Sequence, residues 1–267
     1  MNYKVGFIGA GKMATAIVGG IIKSQLLKKT EIAICDKNQT ALDSFSKEGF
    51  DVYVNPADIA EKCKYIILAV KPQNIDEILE SIKNKVTAEN IVVSILAGVS
   101  AEYIKKSLGF DCKIVLVMPN TPLLLGYGAT AISRIEPTKD DEFEFVFNIF
   151  NSAGKTEIID SNKMREIIPI NGSSPAVIYL LAKLFCEKAE SYGISKETAN
   201  NLFCQTLIGS AVMMTQTGKT HQELIDMVCS PGGTTLKMLE ALNNNNIKNA
   251  VDEAIEACIK RAYELGR

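Results

Sequence analysis

Val5-Gly6-Phe7-Ile8-Gly9-Ala10-Gly11-Lys12-Met13-Ala14 is an apolar strand that runs straight into G-x-G-x-x-A, and its reading decides the fold. Gly9 lets the chain turn sharply off the strand. Gly11 removes the Cβ that would block a diphosphate, and the small Ala14 lets the next helix lie close to a sheet. That helix then turns its unpaired N–H groups and the positive end of its dipole toward an anion. An amphipathic stretch follows (Ile17, Val18, Ile21, Ile22), and a second apolar run, Ile32-Ala33-Ile34, ends at Asp36. The expectation is a dinucleotide site on Gly9, Ala10, Gly11, Lys12, Met13 and Ala14. The plain alternative is a glycine-rich turn that binds nothing. Asp36, about twenty residues beyond the turn, is where a carboxylate takes the adenosine ribose hydroxyls. Lys37 follows at once and can meet a 2′-phosphate, so NADP(H) and NAD(H) both stay open. Asp36 could equally cap the next helix.

Working outward, short β-branched runs alternate with amphipathic stretches as far as about Ile159. The expected strands are Lys4–Ile8, Glu31–Cys35, Val52–Val54, Tyr65–Val70, Ile91–Ile95, Lys113–Met118, Ala129–Ile132 and Thr156–Ile159. Helical patterns lie between them, among them Ile75–Lys85 and Ala101–Leu108 with Ser100 as N-cap. Continuous apolar strands such as Ile66-Ile67-Leu68-Ala69-Val70 fit burial on both faces, so this half reads as a doubly wound parallel sheet covered by helices. Beyond it nearly everything has a period near 3.6, over Val177–Tyr192, Ser195–Gln216, His221–Val228, Thr235–Asn243 and Lys248–Leu265. The division falls between residues 160 and 161, giving an α/β domain over 1–160 and an all-α domain over 161–267. The helices around Ile178–Phe185 and Leu202–Ile208 are apolar over so wide an arc that they need a second layer. A helical dimer supplies it most simply, and a compact monomeric bundle is the alternative.

Three strand ends point at one crevice. Ala69-Val70-Lys71-Pro72, Ser94-Ile95-Leu96-Ala97-Gly98 and Met118-Pro119-Asn120-Thr121-Pro122 all lie at the carboxyl edge, where open α/β sheets bind ligands. Together they look like the floor of a nicotinamide pocket. In the helical half, Cys229-Ser230-Pro231-Gly232-Gly233-Thr234-Thr235 sets two glycines and two hydroxyls where a helix starts, a seat for a small carboxylate. The same residues also read as a helix connection with Thr234 as N-cap. Asn171-Gly172-Ser173-Ser174-Pro175 is a similar polar turn. It puts Ser173 and Ser174 either on the substrate side or simply at the start of the long helix.

The bulk numbers exclude several classes. The chain has 267 residues, 47% of them hydrophobic, enough for a sizeable core, and a net charge of −2 with both signs interspersed, which offers no field for nucleic acid. No apolar run reaches membrane-spanning length, and the chain enters a strand within a few residues of its start without a secretion signal, so a cytoplasmic location is expected. Seven scattered cysteines with no C-x-x-C pair read as reduced thiols rather than a disulfide framework or metal site. His221 is the only histidine and, beside Gly218 and Thr220 at a helix start, reads as a surface or capping residue. Neither a His-based triad nor a carboxylate pair stands out.

These residues carry a resemblance. The G-F-I-G-A-G-K-M-A turn, Ala69-Val70-Lys71-Pro72, Met118-Pro119-Asn120-Thr121-Pro122 and above all Asp226-Met227-Val228-Cys229-Ser230-Pro231-Gly232-Gly233-Thr234-Thr235 make the chain similar to the pyrroline-5-carboxylate reductase family, nearly end to end. The resemblance implies a Rossmann-like nucleotide-binding domain followed by an all-α dimerisation domain, and reduction of 1-pyrroline-5-carboxylate to L-proline by NADP(H) or NAD(H). It places Gly9–Ala14 on the pyrophosphate, Asp36, Lys37 and Asn55 near the adenosine ribose, and Ala69, Lys71 and Ala97 beside the nicotinamide. It also gives the Gly232–Thr235 turn, from a partner subunit, to the substrate carboxylate, with the Thr235 hydroxyl near the ring nitrogen. The family pattern G-x-S-G-S-x-P is here Pro169-Ile170-Asn171-Gly172-Ser173-Ser174-Pro175. Asn171 still donates and accepts, whereas Pro169 lacks a donor and fixes φ. Two other readings stand beside this one. One is a related hydroxy-acid dehydrogenase using Lys163 as its acid-base group, and the other a non-catalytic NAD(P)-binding regulatory protein.

Overall fold

The computed structural model describes residues 1–266. Strands β1 (Tyr3–Ile8), β2 (Ile32–Cys35), β3 (Asp51–Tyr53), β4 (Cys63–Leu68), β5 (Ile91–Ser94), β6 (Lys113–Met118), β7 (Gly128–Ile135) and β8 (Gly154–Ile158) form one sheet in the order β3-β2-β1-β4-β5-β6-β7-β8. Helices α1 (Lys12–Lys23), α2 (Gln39–Lys47), α3 (Pro56–Lys62), α4 (Ile75–Ile82), α5 (Ala101–Leu108) and α6 (Asp140–Asn151) cover it. The period-2 alternation of side chains divides the core. Val5, Phe7 and Ile67 pack with Ile17, Ile21 and Phe150 on one face. Ile8, Ile66 and Leu68 pack with Leu79 and Ile104 on the other. Such strands must be apolar throughout, which is why they carry no alternation in the sequence.

All eight expected strands are present, and the first six are mutually parallel. The last two differ from the all-parallel expectation: β7 runs antiparallel to β6, and β8 runs parallel to β7. Residues 119–127 hold only a 3-10 turn, too short for a crossover helix, so the chain can only double back. The order places β1 between β2 and β4, so the connections leave the sheet in opposite directions at the carboxyl ends of β1 and β4. That reversal opens the crevice in which such sheets bind ligands.

The remaining helices are α7 (Ser174–Glu190), α8 (Lys196–Gln216), α9 (His221–Val228), α10 (Thr234–Asn244) and α11 (Ile247–Leu265). The chain forms two compact units, one of residues 1–175 with the segment from Cys258 onward, the other of Ala176–Ala257. Within the helical unit, α8, α9 and α10 bury no residue. Leu180 is 53% exposed and Leu202 66%.

Candidate functional site

Both glycines of the first turn have their own physical reason. Gly9 sits at φ +110, and a Cβ there would lie 2.5 Å from the Ala69 carbonyl oxygen, so β1 and β4 close on each other only over a glycine. The backbone locks the approach, with Gly9 N–H donating to Cys35 O (2.7 Å) and Ala69 N–H to Ile8 O (2.8 Å). Gly11 is the N-cap of α1 at φ −77, and a Cβ there would meet no protein atom within 4 Å. The space above the helix start is open. No side chain caps α1 and its first turn carries no acid, so the leading N–H groups have no side-chain partner. This arrangement fits a diphosphate.

Asp36 is turned inward. One carboxylate oxygen accepts from Ala10 N–H at 2.7 Å and the other from Asn38 N–H at 2.9 Å. It therefore ties the end of β2 to the glycine turn, and the capping alternative is corrected. Asn38 caps α2 instead, through Thr40 N–H and Ala41 N–H. Lys37 is exposed beside it. Asn55 is the N-cap of α3, accepting from Ala57 N–H at 3.0 Å. Cys35, just before Asp36, is buried, and burial together with the Asp36 charge pushes its thiol up to about 12.

The strand-end residues line up at the carboxyl edge on neighbouring strands, with Ala69, Val70, Lys71 and Pro72 after β4, Ala97 after β5, and Asn120 after β6. Ala69, Val70, Pro72 and Ala97 are half-buried and Lys71 is exposed. Asn120 is buried, and its side chain is spent on protein partners. Its Oδ1 accepts from Ala129 N–H (2.9 Å) and its Nδ2 donates to Asn171 O (3.0 Å). Asn171 reciprocates, donating from Nδ2 to Met118 O (2.7 Å) and Ala129 O (2.9 Å). This network was not read from the sequence, and the only hint was the departure around Asn171. Pro169 costs nothing there, since it lies in the first turn of a one-turn π-helix (Ile168–Gly172), where its N–H has no helical acceptor. Ser174 Oγ donates to Ile170 O (2.6 Å), and Ser173 Oγ lies 3.5 Å from Cys258 Sγ. Lys163 is exposed on a 3-10 turn.

The second glycine turn lies within the helical unit. Gly232 takes φ +71, Gly233 N–H donates to Ser230 O (2.9 Å), and a Cβ on Gly233 would strike Ser230 Oγ at 2.4 Å. Gly233, not Thr234, is the N-cap of α10, so the expected Thr234 cap is corrected, and Thr234 and Thr235 form the helix's first turn. Here again no side chain caps the helix and no acid lies in the first turn. By contrast, α3, α5, α8 and α9 are capped by Asn55, Ser100, Ser195 and Thr220, with Glu223 completing a capping box on α9 beside His221. Thr235 is half-buried and Thr234 exposed.

Residues 161–265 match the sequence family described as pyrroline-5-carboxylate reductase dimerisation. Residues 4–98 match the family described as NADP oxidoreductase coenzyme F420-dependent. The pyrroline-5-carboxylate reductase of Escherichia coli K12 is 32% identical over 100% of both chains. The chain belongs to the pyrroline-5-carboxylate reductase family. The Methanosarcina acetivorans member is 33% identical over 100% of this chain and 99% of its own. Among solved structures, the Plasmodium falciparum pyrroline carboxylate reductase with NADP bound superposes with a TM-score of 0.90 at 30% identity, covering 100% of this chain and 99% of that one. The Coxiella burnetii pyrroline-5-carboxylate reductase gives a TM-score of 0.90 at 32% identity, with 100% of both chains covered.

Proposed function

We propose that this protein reduces 1-pyrroline-5-carboxylate to L-proline with NADPH, NADH being the lesser donor. The observation that carries the reading is the pair of uncapped, acid-free helix starts at Gly11 and Gly233, on a chain aligned end to end with the family. A bound reduced nicotinamide supplies the hydride. The chain's part is to bind and orient. The N–H groups of Gly11–Ala14 hold the diphosphate, Lys37 and Asn55 flank the adenosine ribose, and Ala69, Val70, Lys71, Pro72, Ala97 and the Asn120 backbone floor the ring. The amides of Gly232–Thr235, with Ser230, hold the substrate carboxylate, and Ser173 and Ser174 border the ring's far side. A cyclic imine protonated on nitrogen is already electrophilic, so the nitrogen keeps its proton through the reaction and no protein acid is required. Thr235 Oγ1 accepts from that N–H and orients the imine carbon for attack.

The reading includes self-association. Apolar side chains on α7 and α8, Leu180 and Leu202 among them, stay more than half exposed, so a second copy buries them, and the Gly232–Thr235 cradle of one protomer completes the crevice of another. Cytoplasmic work fits the unpaired cysteines, among them the buried Cys63 and Cys112 with thiols pushed by burial to about 12 and about 11. The test is oxidation of NADPH by the purified protein with racemic pyrroline-5-carboxylate against a set of small 3-hydroxy acids and NADP. Turnover with the imine alone is expected. Turnover with a hydroxy acid alone, or tight NADPH binding with no oxidation, overturns the proposal.

A further inference from the structure

The hydrogen-bond ladder between β6 and β7 ends at the pair Met118 and Ala131, just where β6 reaches the carboxyl edge of the sheet. Past that pair, Ala129 N–H and Ala129 O lie beyond the last residue of β6, and two side-chain amides take the places of the missing backbone groups, one of them reaching Met118 O as well. Asn120 accepts from Ala129 N–H, and Asn171 donates both its hydrogens, to Met118 O and to Ala129 O. Asn120 then closes the ring by donating to Asn171 O. Three backbones are thereby fixed together: the end of β6, the start of β7 and the π-turn. Asn171 is only 9% exposed. Its Oδ1 is buried without a partner. With the Asn171 amide nitrogen held by two carbonyls, turning the amide over would set oxygen against oxygen, so the orientation is settled. The fold tolerates an unmet acceptor to obtain two donors. The serine of the family pattern G-x-S-G-S-x-P has one donor and cannot span both carbonyls.

We propose that Asn171, with Asn120, is a positioning residue for hydride transfer, fixing Met118-Pro119-Asn120 as the rigid wall against which the nicotinamide ring seats. The inference rests on the cofactor placement given above and deepens it. The one unmet acceptor, Asn171 Oδ1, is buried, and the hydrogen bonds of both side chains go to backbone groups, so the pair acts through the backbone it holds. Loosening the wall lets the ring drift from attack geometry, while the diphosphate contacts at the start of α1 and the adenosine contacts at Lys37 and Asn55 are untouched.

The test uses the full chain with Asn171→Ala and Asn171→Ser. Thermal unfolding, NADPH affinity by fluorescence, kcat and KM are measured, with the primary isotope effect from NADPH deuterated at C4 on the transferred face. For Asn171→Ala, kcat should fall about tenfold, NADPH affinity should stay within about twofold, and the isotope effect should rise as hydride transfer becomes slower. Asn171→Ser, keeping one donor, should lie between. A lower Tm with unchanged kcat and isotope effect per folded molecule would show a merely structural role and overturn the proposal. So would an affinity loss matching the loss in kcat. If Asn171→Ala does not fold, Asn171→Ser and Asn120→Ser decide by the same readouts. Failure of the unsubstituted protein to turn over the imine would instead strike the proposed function.

Discussion

Gly9 and Gly11 stand two residues apart in one motif, yet a methyl group added to each should have opposite consequences. At Gly9 an alanine would be held at φ +110 with its Cβ 2.5 Å from Ala69 O and 2.6 Å from Ala69 C. The backbone conformation costs about 1–3 kcal/mol for a non-glycine residue, and displacing a packed backbone adds about the same again. Gly9→Ala should therefore lose about 2–6 kcal/mol of stability. At Gly11 the conformation suits any residue and the added Cβ meets nothing, so Gly11→Ala should lose no more than about 1 kcal/mol, the difference between glycine and alanine as N-cap. That methyl group would, however, occupy the space proposed for the diphosphate. Losing one charge-assisted hydrogen bond there, about 1.5–3 kcal/mol, weakens NADPH binding by about 10- to 100-fold. Urea unfolding and NADPH titration of both variants separate the two effects. Should Gly11→Ala bind NADPH as tightly as the parent, the space over α1 is not the diphosphate seat.

Other consequences can be checked alongside. Thr235→Ala should lower kcat about tenfold with NADPH affinity nearly unchanged, the mark of one lost orienting hydrogen bond, and equal loss of both would count against its role. Asp36→Ala should lower stability by about 1–3 kcal/mol by stranding Ala10 N–H, while the ratio of NADPH to NADH affinity stays put. A ratio that climbs would mean that the carboxylate faces the cofactor's 2′-position after all. The pair of Lys113 and Glu142, 2.7 Å apart with side chains 12% and 4% exposed, ties β6 to α6. Burial alone would raise the Glu142 carboxyl, but hydrogen bonds from Lys113 Nζ and Lys139 N–H outweigh it and hold it below the usual range. A lowered folded value means the contribution is complete above the unfolded value of about 4.3 and vanishes as pH drops through the folded value. Glu142→Gln should cost about 3 kcal/mol at pH 7 by leaving the largely buried Lys113 uncompensated, and progressively less as the pH falls below about 4.3, as measured by urea unfolding across that range.

The elements of this protein were legible in the chain because apolar runs, helical spacing and stop signals mark them. Strand β6 emerges at Lys113–Met118 and helix α9 at His221–Val228 with the bounds read from the sequence, the first as a continuous apolar run stopped at Pro119, the second as a helical stretch opened at Thr220. The glycine start of α1 was legible for a related reason, since Gly11 stands where a side-chain cap usually does, whereas the second start was placed on Thr234 and its cap is Gly233.

What the sequence by itself determined is thus local: which stretches are strands or helices, which turns can approach an anion, and that the helical half carries more apolar surface than it can cover alone. Direction and partnership were decided only in three dimensions. An apolar run has no arrow, so nothing in Gly128–Ile135 announces that it returns antiparallel to β6. An asparagine in a loop likewise looks the same whether it faces a ligand or solvent, or completes a ladder 51 residues away, as Asn120 does with Asn171. The same holds for Asp36, whose carboxylate could serve a ribose, a helix or the glycine turn until the fold brought Ala10 within 2.7 Å. Hydrogen bonds satisfy whichever donors the packing of apolar surfaces brings within reach, and that packing is a property of the whole chain.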